Sequence, residues 1–376
     1  LSDYRPHSQL NATQAQAHRA QLNTVQGQVL SSLNASDYAV NDRYKYTPAL
    51  ALTVNQQALR ALSRNPNVVH IQEDIPVPST LNSSLDVIEA TTPGGSFDQG
   101  YRGNGYAVAI LDSGVQFDHP MFSDGAGGDR VIAQACFNTT VPSNNSTSFC
   151  PNGLDTDTTS ANAGQDCNET EASGCEHGTH VAGIAAGDNR GHTGTQYYGV
   201  APEADIIAVN VFSKFNDAGI CGALPSPCIL SYFSDQVAGL EYVYDLVTID
   251  GIPVASANMS LGGGRNTSTC DSDTRKPVID NLLGVNVATV IASGNDNYRD
   301  AVGAPGCIST AVTVGATTDA DSVASFSNVY ADLDLFAPGV NIVSSTLPNN
   351  YESYNGTSMA TPHVAGAWAV MRERYP

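Results

Sequence analysis

The run Tyr106-Ala-Val-Ala-Ile-Leu111 is apolar almost throughout and stops on Asp112-Ser-Gly. A half-solvated strand alternates polar and apolar residues, so an uninterrupted run suits a strand buried on both faces, as in a parallel sheet between helices. Asp112 then falls at the strand's carboxyl end, where open α/β sheets gather their functional groups. Val290-Ile-Ala-Ser-Gly-Asn295 has similar organisation, a strand and a small-residue turn that ends on an amide. Two further segments join a polar residue to a helix of small residues. Val181 to Ala186 follow His177, leaving its ring near the helix start while His180 points elsewhere. Gly356-Thr-Ser358 precedes a second such helix, with Pro362 in its first turn or so. The fold class expected is α/β, with a central parallel sheet flanked by helices.

Serine is a weak nucleophile by itself. It needs an imidazole to accept its proton and a carboxylate to orient that ring. Taken singly, Asp112-Ser-Gly reads as a turn, Ser358 as a helix cap, and His177-x-x-His180 as half of a metal site. No glutamate follows His177 and no further ligand cluster is evident, which weakens the metal reading. Together the segments read as a serine nucleophile system in the chain order Asp, His, Ser. That order and its motifs resemble the subtilisin-like serine proteases, the subtilase family, and differ from chymotrypsin-like enzymes and α/β-hydrolases.

The resemblance implies a three-layer fold and endopeptidase activity on proteins or peptides. Ser358 would attack the scissile carbonyl, His177 would carry the proton, and Asp112 would hold the imidazole. The Asn295 side-chain amide and the Ser358 N–H would bind the oxyanion. Asn258-Met-Ser-Leu-Gly-Gly263 is similar to the family's substrate-binding strand, with Ser260, Leu261 and Gly262 as one wall of the pocket for the residue before the cut. Val302-Gly303-Ala-Pro305 would be its floor. Phe233 falls where relatives place an aromatic beside the fourth subsite, although a core aromatic fits the pattern nearly as well. Asp296 reads as a solvated acid at the rim and Trp368 as helix packing.

Two domains are expected, residues 1–80 and 81–376. Gln14 to Leu33 has a helical pattern, Tyr44 to Val54 reads as a strand and Gln56 to Arg64 as a second helix. This order resembles the family's inhibitory propeptide, a small α+β, ferredoxin-like domain, here without its first strand. Prolines keep Ile75-Pro-Val-Pro-Ser-Thr80 extended. The resemblance lays that tail in the cleft, with Val77 in the apolar subsite four residues before a self-processing cut near Thr80 and Leu81. The peptidase part stops at Tyr375-Pro376, where the family continues, so the chain reads as clipped at both ends. The competing expectations are a catalytically silent relative serving as a binding module and an esterase-type hydrolase.

Among 376 residues only 16 are basic and the net charge is −21, which argues against nucleic acid or an anionic membrane as partner. No run is long and apolar enough to span a bilayer. Eight cysteines without a Cys-x-x-Cys pair suit a disulfide framework in an oxidising compartment, hence a secreted enzyme, and a monomer is expected. Eight cysteines allow on the order of a hundred pairings; the hypothesis adopted pairs neighbours, Cys136 with Cys150, Cys167 with Cys175, Cys221 with Cys228 and Cys270 with Cys307. Ten Asn-x-Ser/Thr matches, among them Asn11, Asn34, Asn82, Asn138, Asn168 and Asn266, suit a secreted surface, but Asn258 and Asn355 fall inside site segments. No cofactor is required. Met121 stands where relatives use a calcium carboxylate, and a thioether is a poor ligand for so hard an ion. A structural Ca²⁺ would rest on Asp334, which matches a weaker cation site of some relatives, against the competing reading of a plain surface aspartate.

Overall fold

The structure, a computed structural model, describes residues 12–43, 49–69, 71, 82–123, 128–189, 197–222 and 224–376. The chain divides into two compact units, Leu1–Pro78 and Ser79–Pro376.

The smaller unit carries a helix over Ala12–Ser31, an antiparallel pair of strands over Tyr38–Arg43 and Leu50–Val54, and a helix over Gln56–Leu62. Asn55 starts the second helix, its side-chain oxygen accepting the N–H groups of Gln57 (2.9 Å) and Ala58 (3.0 Å). The expected strand over Tyr44 to Val54 is realised only from Leu50; residues 44–48 lie outside the described residues. Its partner was not anticipated, because Tyr-Ala-Val-Asn-Asp-Arg carries too little apolar alternation to signal a strand. The tail Ile75–Thr80, with Val77, and the cut near Thr80 and Leu81 also fall outside the described residues.

The larger unit is organised by a sheet whose strands in chain order are β1 (Ala107–Asp112), β2 (Val131–Phe137), β3 (Thr156–Asp157), β4 (Asp205–Asn210), β5 (Val254–Met259), β6 (Ala288–Ala292), β7 (Val312–Thr317) and β8 (Leu335–Pro338). Their spatial order is β8-β7-β6-β5-β1-β4-β2-β3. Every neighbouring pair is parallel except β2 with β3. Strand β1 is central, and all six of its residues are buried. Alternate side chains go to opposite faces. Val108 and Ile110 join one core with Val181, Ile184, Val364 and Ala365, whereas Ala107, Ala109 and Leu111 join another with Leu240, Val243, Ile279 and Leu282. An apolar run without alternation is what such double burial requires.

Helices α1 (His177–Ala186) and α4 (Thr357–Arg374) cover the first face, α2 (Phe233–Thr248) and α3 (Lys276–Gly284) the second. The first pair is built from small residues. A Cβ on Gly366 of α4 would lie 2.5 Å from the Ala185 carbonyl oxygen of α1, so these backbones touch where only glycine fits. Trp368 packs against this core as expected, and Met121 is fully buried in it. All four neighbour disulfides form, Cys136–Cys150, Cys167–Cys175, Cys221–Cys228 and Cys270–Cys307. The first two brace the long stretch between β2 and α1.

Candidate active site

Strand β1 delivers Asp112 to the sheet's carboxyl edge, fully buried. Its Oδ1 accepts the Ser113 N–H (2.8 Å) and lies 2.7 Å from His177 Nδ1. The turn after β1 is stitched to the start of α1: the Ser113 hydroxyl donates to the Cys175 carbonyl (2.8 Å) and accepts the Gly178 N–H (2.8 Å). A Cβ on Gly178 would stand 2.2 Å from the Gly114 carbonyl oxygen, so a glycine after His177 is what lets the helix approach the carboxylate. Asp112 Oδ2 is buried without a hydrogen-bond partner. A carboxylate so fully buried gains from an imidazolium beside it.

The two histidines of α1 have opposite electrostatics. For His177, whose side chain is 28% exposed, burial disfavours the charged ring. The charge and hydrogen bond of Asp112, with a contribution from Glu176, outweigh that and hold the ring above its ordinary range. One turn on, burial drives His180 down to about 3. Its Nε2 contacts the Glu352 carbonyl oxygen (3.0 Å), and its ring stacks on Tyr354 with centroids 4.3 Å apart. His180 is thus a neutral packing group, and among the described residues no cluster of three His, Cys, Asp or Glu could hold a metal ion.

Ser358 is the second residue of α4, partly exposed, and its hydroxyl donates to the Ser260 carbonyl (3.2 Å). A rotation about χ1 is therefore needed to turn it toward the imidazole. Pro362 lies inside α4 and supplies no N–H to the carbonyl of Ser358, four residues earlier. That carbonyl instead accepts the Ser260 hydroxyl (2.8 Å), and Ser260 in turn accepts from Asn258 Nδ2 (3.0 Å). The proline thereby ties the nucleophile segment to the end of β5.

Asn295 follows β6 and its turn. Its Oδ1 accepts both the N–H (2.8 Å) and the hydroxyl (3.0 Å) of Thr357, which fixes the amide so that Nδ2 is the end left to donate. The point a Gly356 Cβ would occupy is 3.5 Å from Asn295 Nδ2 and 3.5 Å from the Ser358 nitrogen. Both donors border the space that glycine leaves open, and the Ser358 N–H belongs to a helical first turn, where no intrahelical acceptor exists.

The segments expected to hold the substrate also converge. Ser260, Leu261 and Gly262 continue from β5 into a strand, Gly263–Asn266, that pairs antiparallel with Val302–Ala304. Gly303 therefore faces this wall, and a Cβ there would stand 3.1 Å from the Gly263 nitrogen. Phe233 opens α2 and is 57% exposed, which removes the core-aromatic alternative. Asp296 is exposed. Asp334 lends Oδ2 to the Thr313 N–H (2.7 Å), pinning β8 to β7. Asp334 is otherwise exposed. Sequence reading missed Thr357 as the orienter of Asn295, although its place beside the nucleophile was a signal. It also missed Glu176, whose carboxylate accepts the Tyr354 hydroxyl. Arg275 gave no signal at all.

A doubly covered parallel sheet that brings an Asp–His pair, a helix-start serine and an amide donor to one edge defines a serine hydrolase of the Asp, His, Ser order. The model of the subtilase family (Peptidase S8) matches residues 103–376, and the chain belongs to that family; it is a subtilisin-like serine endopeptidase. It is 30% identical to subtilisin NAT of Bacillus subtilis subsp. natto over 340 residues, 90% of this chain and 74% of that protein. It is 33% identical to an extracellular serine proteinase of Thermus sp. (strain Rt41A) over 366 residues, 94% of this chain and 73% of that protein. The crystal structure of a cold adapted subtilisin-like serine proteinase superposes with a TM-score of 0.50 at 29% identity, covering 73% of this chain and 78% of that one.

Proposed function

We propose that the chain is a secreted endopeptidase made as a zymogen, with Asp112, His177 and Ser358 as its triad. The observation that carries this reading is the 2.7 Å contact of Asp112 with His177. It lies at the same sheet edge as the Ser358 hydroxyl and the two donors beside Gly356. The Ser358 hydroxyl turns from Ser260 to His177 Nε2, gives up its proton and attacks the carbonyl carbon. Asp112 stabilises the resulting imidazolium, while Asn295 Nδ2 and the Ser358 N–H hold the oxyanion. The imidazolium then protonates the leaving amine, and water enters by the same route to release the acyl group.

An extended peptide would add as a strand along Ser260–Gly262 and be held over Gly303, with Phe233 bordering the side chain four residues before the cut. Such a backbone-reading edge favours polypeptides over small esters. Residues 1–80 are read as the inhibitory propeptide and 81–376 as the peptidase domain, with processing near Thr80 and Leu81. Four disulfides favour an oxidising destination. Of the Asn-x-Ser/Thr sites, Asn34 and Asn168 are exposed and available to glycans, whereas Asn138 and Asn258 are fully buried.

The test is intact mass and amino-terminal sequencing of the chain and its Ser358→Ala variant after identical incubation. A split near residue 80 in the unsubstituted chain alone is expected. Identical splitting of both contradicts self-processing, and no splitting of either folded chain contradicts the zymogen reading.

A further inference from the structure

We propose that Arg275 is a positioning residue for substrate selection, holding the ring of Phe233 as a fixed platform for a large apolar side chain of the substrate; this rests on the reading of Phe233 as a subsite border.

Arg275 is the bulkiest fully buried side chain among the described residues, although arginine is rarely buried so completely. Its charge is met on every side. Nε and Nη2 donate to the two carboxylate oxygens of Asp273 (2.8 and 2.6 Å), a bidentate fork, and Nη1 donates to Gln236 Oε1 (2.6 Å). The guanidinium carbon lies 4.0 Å from the centroid of the Phe233 ring. The cation is thus shielded from water partly by the ring itself, in a geometry where the ring's negative face attracts it.

The consequence for Phe233 is the informative part. A phenylalanine at a helix start with more than half its surface in water has little packing to fix its rotamer. Here one face rests on a planar cation that cannot move, because Asp273 and Gln236 hold it. Asp273 is itself tethered to the Cys270–Cys307 crosslink, its N–H donating to the Cys270 carbonyl (2.8 Å). Gln236 passes the constraint to the preceding segment, its Nε2 donating to the Ser231 hydroxyl (3.2 Å). A buried ion pair commonly adds little net stability over an apolar filling of the same shape. Its gain here is a ring locked flat with its other face toward solvent, ready to stack on a substrate side chain without paying for ordering at the moment of binding.

The experiment uses two peptide amides with the same residues next to the cut, one with Phe four residues before it and one ending short of that position. Values of kcat and KM are measured for the full chain after processing, and for Phe233→Ala, Arg275→Lys, the paired Asp273→Asn/Arg275→Met and the double Phe233→Ala/Arg275→Lys. The pair removes both charges together, so no orphan carboxylate is left to unfold the protein. Phe233→Ala is expected to lower kcat/KM for the long peptide by roughly tenfold, mainly through KM, with the short peptide unchanged. Arg275→Lys keeps the charge but loses the planar fork; it and the charge-free pair should shift the long peptide in the same direction by several-fold. In the double variant the loss should be no larger than for Phe233→Ala alone, since the arginine acts through the ring. Equal losses on both peptides in the arginine variants, or additive losses in the double, overturn the proposal in favour of a purely structural arginine. Unchanged selectivity in Phe233→Ala overturns the subsite reading and the proposal with it. Failure of the unsubstituted chain to cut either peptide contradicts the endopeptidase assignment instead, so the three failures are distinguishable.

Discussion

The two faces of the central sheet are covered by helices of different character. Between α1 and α4, backbone approaches backbone among alanines and valines, although Ile184 and Met359 also join this core; Gly366 sits where a Cβ would be 2.5 Å from the Ala185 carbonyl oxygen. On the face of α2 and α3 the contacts are chiefly the larger side chains Leu240, Val243, Leu246, Ile279 and Leu282, with Gly239 of α2 set against the side chains of Val211 and Leu111. His177 and Ser358 start the two close-packed helices, and Phe233 starts one of the others. The comparison teaches a division of labour. On the proposed reading, reacting groups ride on helices whose separation is set by rigid backbone contact, and recognition rides on a helix whose end is fixed by side chains, chiefly through Arg275.

The largest expected effect comes from the chemistry itself. Asp112→Asn should lower kcat by about 10⁴-fold, because the amide favours the wrong imidazole tautomer. Its melting temperature should change little, as read by calorimetry beside a peptide assay. A large loss of stability with activity kept per folded molecule would contradict the role of Asp112. Next, Asn295→Leu should cost roughly 10²–10³-fold in kcat, the usual effect of losing one oxyanion donor, with KM nearly unchanged.

A matched pair of substitutions probes the faces directly. Gly366→Ala forces α4 away from α1 and should lower both stability and kcat, since it changes the spacing of the two helices that carry Ser358 and His177. Leu240→Ala should cost about 2–5 kcal/mol of stability but leave kcat per folded molecule close to the parent. If Leu240→Ala impairs kcat as much as Gly366→Ala does, the division of labour is wrong.

The smallest expected effect is a shift in pH dependence. His177 must be neutral to accept a proton, and Asp112 and Glu176 hold it above its ordinary range, so the acid limb of kcat/KM should lie above the unperturbed imidazole value. Glu176→Gln removes one of the charges that favour the imidazolium, so the limb should move to lower pH. A limb that stays put or moves up would show that the Glu176 charge does not reach the ring.

Legibility in the sequence follows the same division. Asp112, His177, Asn295 and Ser358 each adjoin a contiguous run whose apolar or small-residue character specifies its element, so local pattern made the sheet and helices legible, while the roles of the four residues came from their order along the chain and the family resemblance. The neighbour disulfides were a hypothesis among many pairings, and the structure forms all four, three of them closing loops of 7 to 14 residues. What could not be read depends on contacts between distant segments. Ser260 and Ser358 are 98 residues apart, and Gln236 and Arg275 are 39 apart. Neither leaves a mark in local composition. An arginine in a polar stretch reads as solvated, and only packing shows that it lies beneath Phe233. The strand over Tyr38–Arg43 was missed because it is specified by its partner rather than by its own alternation.

The central claim is that Asp112, His177 and Ser358 act as one nucleophilic unit. It is tested most directly by labelling the processed protein with a fluorophosphonate and mapping the adduct by peptide mass. A single adduct on Ser358, absent in Ser358→Ala and strongly slowed in His177→Ala although both remain folded, is the predicted result. Labelling of another residue, or labelling of Ser358 at the same rate without His177, would contradict it.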